Sequence, residues 1–221
     1  MASSKAIFVF PAAAGHVNPS LPLARGLVAR GWNVDYLATA AFRDAVEDTG
    51  ASFFDRDEVF RERGIEDVTG TVTATRSEYG DPPPRWWLNF GSISTAALLP
   101  AYTDWLRSRD AQLVVYCPVL CQAALFAALR LGVPAVSLLT AGGPGYFDAA
   151  IASTAGAEAV RGVAAGLVEA VEDVGPNAAA IESIRSQLAM PGLTLNTAEP
   201  LCRDYYAGAN LVSTTEQSLR R

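Results

Sequence analysis

Two apolar runs joined by a helix-patterned segment constrain the fold of this chain more than any other feature. Residues 6–10 and residues 33–38 are typical of strands, and the segment between them repeats apolar residues at helical spacing. Strand, helix and strand in this order form one βαβ unit, whose two strands lie parallel in the same sheet. The start of the chain therefore predicts an α/β fold.

The helix between the two strands is marked at both ends. Asn18 is a good N-cap residue, and Pro19 suits the first helical position, where its missing N–H costs nothing. Gly31 is expected to end the helix. The stripe that should pack on the sheet consists of Leu21, Ala24, Leu27 and Val28.

Strands and helices continue to alternate along the chain. Apolar runs predict strands over residues 51–54, 112–116, 135–139 and 211–214, and helical patterns cover residues 40–49, 86–109, 121–131, 147–173 and 177–188. Residues 55–85 carry charges, threonines and three consecutive prolines, so we expect a variable surface loop without fixed structure. Residues 1–221 are thus predicted to form one α/β domain, a parallel sheet with helices on both faces.

Composition limits the partners. The chain has 221 residues, a net charge of −6 and no basic cluster, which argues against nucleic acid or an anionic membrane surface. No apolar run reaches the length of a transmembrane helix, so no membrane insertion is expected. An odd number of cysteines, Cys117, Cys121 and Cys202, suits a reducing compartment and predicts a cytoplasmic protein.

Motifs for bound cofactors are missing. The turn after the first strand has one glycine where a dinucleotide fold needs three, and no phosphate-binding loop, His-Glu-x-x-His or Gly-x-Ser-x-Gly motif occurs. The three cysteines and His16 are residue types that bind zinc, but their spacing in the sequence does not suit a zinc site. We expect the cysteines to be buried as small apolar side chains instead. We expect neither a metal nor a cofactor.

His16 is the only histidine of the chain, and we expect it on the loop that follows the first strand. Ligands of open α/β sheets bind outside the carboxyl ends of the strands, and an imidazole exchanges a proton easily at neutral pH. His16 is therefore a candidate general base. A loop histidine that only caps or packs is the alternative.

Residues 15–27, Gly-His-Val-Asn-Pro-Ser-Leu-Pro-Leu-Ala-Arg-Gly-Leu, resemble the start of the UDP-dependent glycosyltransferases of the two-domain GT-B fold, as do residues 30–34. The bacterial macrolide-type and the plant small-molecule enzymes are the nearest comparison. Residues 132–135 and 140–142 extend the resemblance to the fifth strand. It implies that this chain is the Rossmann-like, acceptor-binding amino-terminal half, and that the donor-binding domain is absent from it.

The resemblance also implies roles for two residues. The histidine at the position of His16 is the base that deprotonates an acceptor hydroxyl, which then attacks a UDP-sugar with inversion. Its partner in the family is an aspartate just after the fourth strand, and Cys117 stands at that position. A neutral thiol offers no full charge, so either activity is weak, another acid such as Asp148 replaces it, or the alignment is shifted by one residue.

Further positions are implied for the substrates. Thr140 matches a threonine that touches the donor sugar in plant relatives, although a strand-end threonine without a special role is equally expected. Gly15, Trp86, Phe90 and Tyr146 are candidates for binding the acceptor, with a core role as the alternative for the aromatic residues.

The resulting hypothesis is the acceptor-binding half of an inverting UDP-glycosyltransferase. It would move a sugar from UDP-sugar, its co-substrate, to a hydroxyl of an apolar small molecule. Because the sugar nucleotide would be held by a missing or separate donor domain, the isolated chain is expected to be nearly inert. The alternative is a non-catalytic small-molecule-binding or scaffold protein derived from the same fold.

Overall fold

The computed structural model describes residues 4–65, 83–140, 175–190 and 207–212; for residues 83–93 and 175–178 it describes the backbone alone. Within these ranges six parallel strands form one sheet in the order β3-β2-β1-β4-β5-β6. This is the doubly wound order of Rossmann-like folds, and the predicted α/β class is confirmed. The strands are β1 Lys5–Val9, β2 Asn33–Ala38, β3 Ser52–Asp55, β4 Leu113–Tyr116, β5 Ala135–Leu139 and β6 Ala209–Val212.

Helices connect the strands. The described α-helices are α1 Ala14–Val17, α2 Leu21–Val28, α3 Arg43–Glu47, α4 Arg56–Arg61, α5 Pro83–Ser108, α6 Gln122–Leu131 and α7 Gly175–Leu188. Two 3₁₀ turns, Asn18–Ser20 and Ala40–Phe42, precede α2 and α3. The predicted helix over residues 147–173 lies outside the described residues.

The core sits around the two central strands. In β1 the four residues from Ala6 to Val9 have no exposed surface, because the strand is covered on both faces. The carboxyl ends of β2, β1 and β4 are level: Val9 pairs with Leu37 on one side and with Tyr116 on the other. The sheet order reverses direction between β1 and β4, and the cleft at such a reversal is where ligands of these folds bind.

The predicted start of the first helix is wrong. The chain becomes helical at Ala14, with Ala13 in extended backbone as the N-cap residue, and Asn18 is the C-cap of α1 instead of an N-cap. Pro19 has no N–H for the carbonyl of the preceding turn, which breaks the helix into α1, a 3₁₀ turn and α2. His16 therefore lies on a helical turn and not on a loop.

The predicted loop over residues 55–85 is too long at both ends. The Asp55 side chain accepts a hydrogen bond of 2.9 Å from the backbone N–H of Asp57 and caps α4. Val59 and Phe60 of α4 are buried, and Phe60 packs edge-on against Tyr102 of α5 at 5.1 Å between ring centroids. Helix α5 begins at Pro83, and residues 66–82 lie outside the described ones.

Candidate active site

His16 is carried to the carboxyl edge of the sheet by β1 and the short turn that follows it. Backbone hydrogen bonds from His16 and Val17 to the carbonyl of Ala13, 2.9 and 3.0 Å long, form the turn that holds it. Val17 is fully buried, whereas the imidazole beside it is half-buried. The backbone that carries the ring is thus fixed, and the ring still reaches the surface.

Two side chains contact the Nδ1 atom of His16. The Sγ atom of Cys117, directly after β4, lies 3.2 Å away, and the Oγ1 atom of Thr140, directly after β5, lies 3.3 Å away. Residues far apart in sequence meet here because β1, β4 and β5 are neighbours whose carboxyl ends share one edge. Among the described residues none forms a hydrogen bond with Nε2, so that nitrogen is the one left for a ligand.

Burial sets the protonation of this pair. Loss of hydration lowers the pKa of His16 below its ordinary value of 6.5, which keeps the imidazole neutral at pH 7. Burial also raises the pKa of the Cys117 thiol to about 11, although the backbone N–H groups of Leu120 and Val119 stabilise its thiolate and oppose the rise. At neutral pH the contact therefore joins an uncharged imidazole to an uncharged thiol.

No protein-family profile matches the sequence, and no curated protein matches it. Solved structures do. CalG4, the calicheamicin glycosyltransferase, superimposes with a TM-score of 0.60 at 20% identity over 96% of this chain and 46% of its own. The glycosyltransferase of kitacinnamycin superimposes with a TM-score of 0.59 at 19% identity, over 95% of this chain and 46% of its own. SnogD from Streptomyces nogalater superimposes with a TM-score of 0.55 at 19% identity, over 96% of this chain and 46% of its own.

This chain has the fold of the amino-terminal half of a GT-B glycosyltransferase. It spans about half the length of the solved structures that it matches. At this level of identity the likeness establishes the fold, and a shared fold does not by itself fix the chemistry of the GT-B half-domain.

A buried hydroxyl pair fixes the base of the His16 turn in the GT-B half-domain. The Ser20 hydroxyl donates to the carbonyl of Val17 over 2.6 Å and shares a short hydrogen bond with the Tyr36 hydroxyl of β2. Burial raises the pKa of Tyr36, so the pair stays neutral. Sequence reasoning missed this pair; the signal was Ser20 standing one helical turn before Ala24, on the stripe that faces the sheet.

The structure describes only some of the remaining predicted site residues of the half-domain. Gly15 is exposed beside His16, and a side chain there would meet no atom within 4 Å. Trp86 and Phe90 lie on α5, where only the backbone is described. Tyr146, Asp148 and Cys202 lie outside the described residues, so the predicted acceptor pocket stays a prediction.

Within the described ranges no three His, Cys, Asp or Glu side chains come close enough to share a metal ion. No helix in the described part of the chain combines the length and the apolar character that crossing a membrane requires.

Proposed function

We propose that this chain is the acceptor-binding half of an inverting UDP-glycosyltransferase, with His16 as the general base. The observation that carries the proposal is the placement of the imidazole. Its Nδ1 atom is held by Cys117 and Thr140 at the point where the sheet order reverses, and its Nε2 atom has no partner among the described residues. A base held through one nitrogen and free at the other is the arrangement that general-base catalysis requires.

The reaction is a single displacement. Nε2 of His16 takes the proton of an acceptor hydroxyl while that oxygen attacks the anomeric carbon of the UDP-sugar. The bond between the anomeric carbon and the phosphate oxygen breaks, UDP leaves with the electron pair, and the configuration inverts because the oxygen enters from the opposite face. His16 then returns its proton to solvent.

The donor is assigned to the part of the enzyme that this chain does not span. The chain covers 46% of CalG4, of the kitacinnamycin enzyme and of SnogD, and the sugar nucleotide has to be held against the acceptor for transfer to occur. We assign an apolar, hydroxyl-bearing small molecule as acceptor, since two of these structures are described as glycosyltransferases of calicheamicin and kitacinnamycin. The odd number of cysteines supports a cytoplasmic location.

The test joins this chain to the donor half of a GT-B enzyme that uses UDP-glucose. Glucose transfer to a panel of hydroxylated aromatic and polyketide acceptors is followed by mass spectrometry, and UDP binding confirms that the donor half is folded. We expect product, reduced at least about 100-fold by His16→Gln, since a general base contributes 10²- to 10⁴-fold. Equal transfer by the His16→Gln variant contradicts the proposal.

A second candidate, a non-catalytic small-molecule binder, is favoured by the neutral thiol of Cys117. Among the described residues no carboxylate would lie beside an imidazolium formed during transfer, and replacing the carboxylate of a serine-protease triad with an amide slows that reaction about 10⁴-fold. The same chimera separates the two functions. Acceptor binding without transfer, in a chimera that binds UDP, supports the binder.

A further inference from the structure

The two contacts of His16 are not equivalent, because only one imidazole tautomer leaves a basic nitrogen free. If Nδ1 carries the proton, it donates to a neighbour and Nε2 is the base. If a neighbour donates to Nδ1 instead, the proton sits on Nε2 and that nitrogen accepts nothing. The group that accepts the Nδ1 proton therefore decides whether His16 is a base.

The thiol of Cys117 is the poorer acceptor of the two. Neutral sulfur accepts hydrogen bonds weakly, and the backbone N–H groups of Leu120 and Val119 already point at it. Its Sγ atom lies 3.2 Å from Nδ1, so an S–H turned toward the ring donates to that nitrogen and favours the inactive tautomer. Because its S–H is a weak donor and its sulfur a weak acceptor, Cys117 does little to hold a proton on Nδ1.

The hydroxyl of Thr140 is the better acceptor. Its oxygen lies 3.3 Å from Nδ1, and among the described residues no other group forms a hydrogen bond with it. The preceding residue, Leu139, is 1% exposed and pairs in β5, which fixes the direction in which Thr140 leaves the sheet. The oxygen is therefore available to the ring and held there by the strand.

We propose that Thr140 is a positioning residue whose hydroxyl oxygen accepts the Nδ1 proton of His16 and so keeps Nε2 as the free, basic nitrogen. During transfer Nε2 gains the acceptor's proton, the Nδ1 proton stays on the ring, and Thr140 remains its acceptor. No proton moves to the threonine. The catalytic consequence rests on the proposed function, whereas the tautomer is a property of the chain itself.

The tautomer is read directly from nitrogen NMR of the whole chain labelled with ¹⁵N-histidine. Every imidazole signal belongs to His16, because the chain has one histidine. The wild-type chain should carry its proton mainly on Nδ1. Thr140→Val, which keeps the shape and removes the hydroxyl, should raise the ratio of Nε2–H to Nδ1–H about two- to tenfold, the equivalent of one neutral hydrogen bond.

Matched variants separate the two neighbours and guard against a folding defect. Thr140→Ser should restore the wild-type tautomer ratio, and Cys117→Ala should leave the proton on Nδ1. A wild-type chain protonated mainly on Nε2 overturns the inference, as does a Cys117→Ala variant that loses the Nδ1 proton while Thr140→Val keeps it. If Thr140→Val does not fold, the wild-type and Cys117→Ala spectra still decide.

The two proposals fail in different ways. The tautomer is measured without donor, acceptor or transfer, so its failure leaves the proposed reaction open to its own test in the chimera. In an active chimera, Thr140→Val should lower kcat with little change in the KM of the acceptor, and Thr140→Ser should recover it. Unchanged kcat in a variant with a shifted tautomer contradicts the positioning role.

Discussion

The Nδ1 atom of His16 lies 3.2 Å from the Sγ atom of Cys117, so the imidazole meets an uncharged thiol across the ends of β1 and β4. In the GT-B enzymes that the sequence resembles, this position holds a carboxylate. The thiol is of the right size to contact the ring and lacks the charge that would stabilise its protonated form. This contact therefore holds the Nδ1 side of the ring without stabilising a protonated, positively charged imidazole.

Restoring the charge should strengthen the base. Cys117→Asp places a carboxylate where the N–H groups of Leu120 and Val119 can donate to it, and an adjacent anion stabilises the imidazolium. We expect the pKa of His16 to rise by about one unit or more, measured by NMR titration of its ring, and transfer by the chimera to increase. Cys117→Asn, similar in shape and uncharged, is the control; a pKa that rises equally in both variants contradicts the electrostatic explanation.

His16 should also link stability to pH. Its pKa in the folded chain lies below the unfolded value of 6.5, so between the two values the unfolded chain binds a proton that the folded chain does not. The free energy of unfolding should therefore fall as the pH is lowered from 6.5 through the folded pKa. Urea denaturation of the wild-type chain and of the His16→Gln variant across this pH window isolates the contribution of His16 to the free energy of unfolding. If the difference in unfolding free energy between the two chains does not change with pH, His16 does not link stability to pH.

Two glycines at strand-helix junctions offer a matched test of packing. Both are in the left-handed region, at φ +83° for Gly31 and φ +84° for Gly50. A side chain on Gly31 meets nothing within 4 Å, whereas one on Gly50 lies 2.9 Å from Cγ1 of Val28. Gly31→Ala should cost about 1 kcal/mol of stability through its backbone alone, and Gly50→Ala about 2 kcal/mol or more. Equal losses in urea denaturation would show that Val28 moves aside freely.

A buried carboxylate ties the opposite edge of the sheet together. Asp35 of β2 is 5% exposed at its side chain and pairs with Lys5 at 2.9 Å and Arg109 at 2.7 Å. Asp35→Asn leaves two partly buried cations without a counter-charge and should cost about 2 kcal/mol. Asp48→Asn, which removes an exposed partner of Arg25, should cost less than about 1 kcal/mol. If both variants lose a similar free energy of unfolding in the same denaturation assay, burial of Asp35 with its two cations does not add to stability.

Most of the sheet was predictable because β1, β2, β4 and β5 are largely buried on both faces. Such strands appear in the sequence as short apolar runs. The predicted strand over residues 135–139 coincides with β5, and the strands predicted over residues 112–116 and 51–54 differ from β4 and β3 by one residue. The last strand, predicted over residues 211–214, runs from Ala209 to Val212. Its residues are exposed, so the apolar pattern locates it less well.

The errors arose where local signals in the sequence compete or are weak. Asn18 and Pro19 form a good N-terminal signal, but the chain had already turned into a helix at Ala14, held by hydrogen bonds to the Ala13 carbonyl. The short helix α4 was hidden among charged residues, because only Val59 and Phe60 mark its buried face.

The site was predictable in part. The closeness of His16 and Cys117 follows from the resemblance together with the order of the strands. The contact between Thr140 and Nδ1 does not, since 124 residues separate the two and a strand-end threonine has no distinctive pattern. Which of two neighbours faces a ring nitrogen depends on distances of tenths of an ångström, which no spacing in the sequence encodes.

The most direct measurement titrates the ¹⁵N-labelled imidazole of His16 with UDP and with hydroxylated apolar acceptors in separate experiments on this chain. We expect an acceptor to shift the Nε2 signal, because its hydroxyl would bind there, and UDP to leave both ring signals unchanged up to about 1 mM. A UDP-induced shift with sub-millimolar affinity, or acceptors that bind the chain without affecting the ring, would contradict the assignment of His16 as the base of an acceptor half.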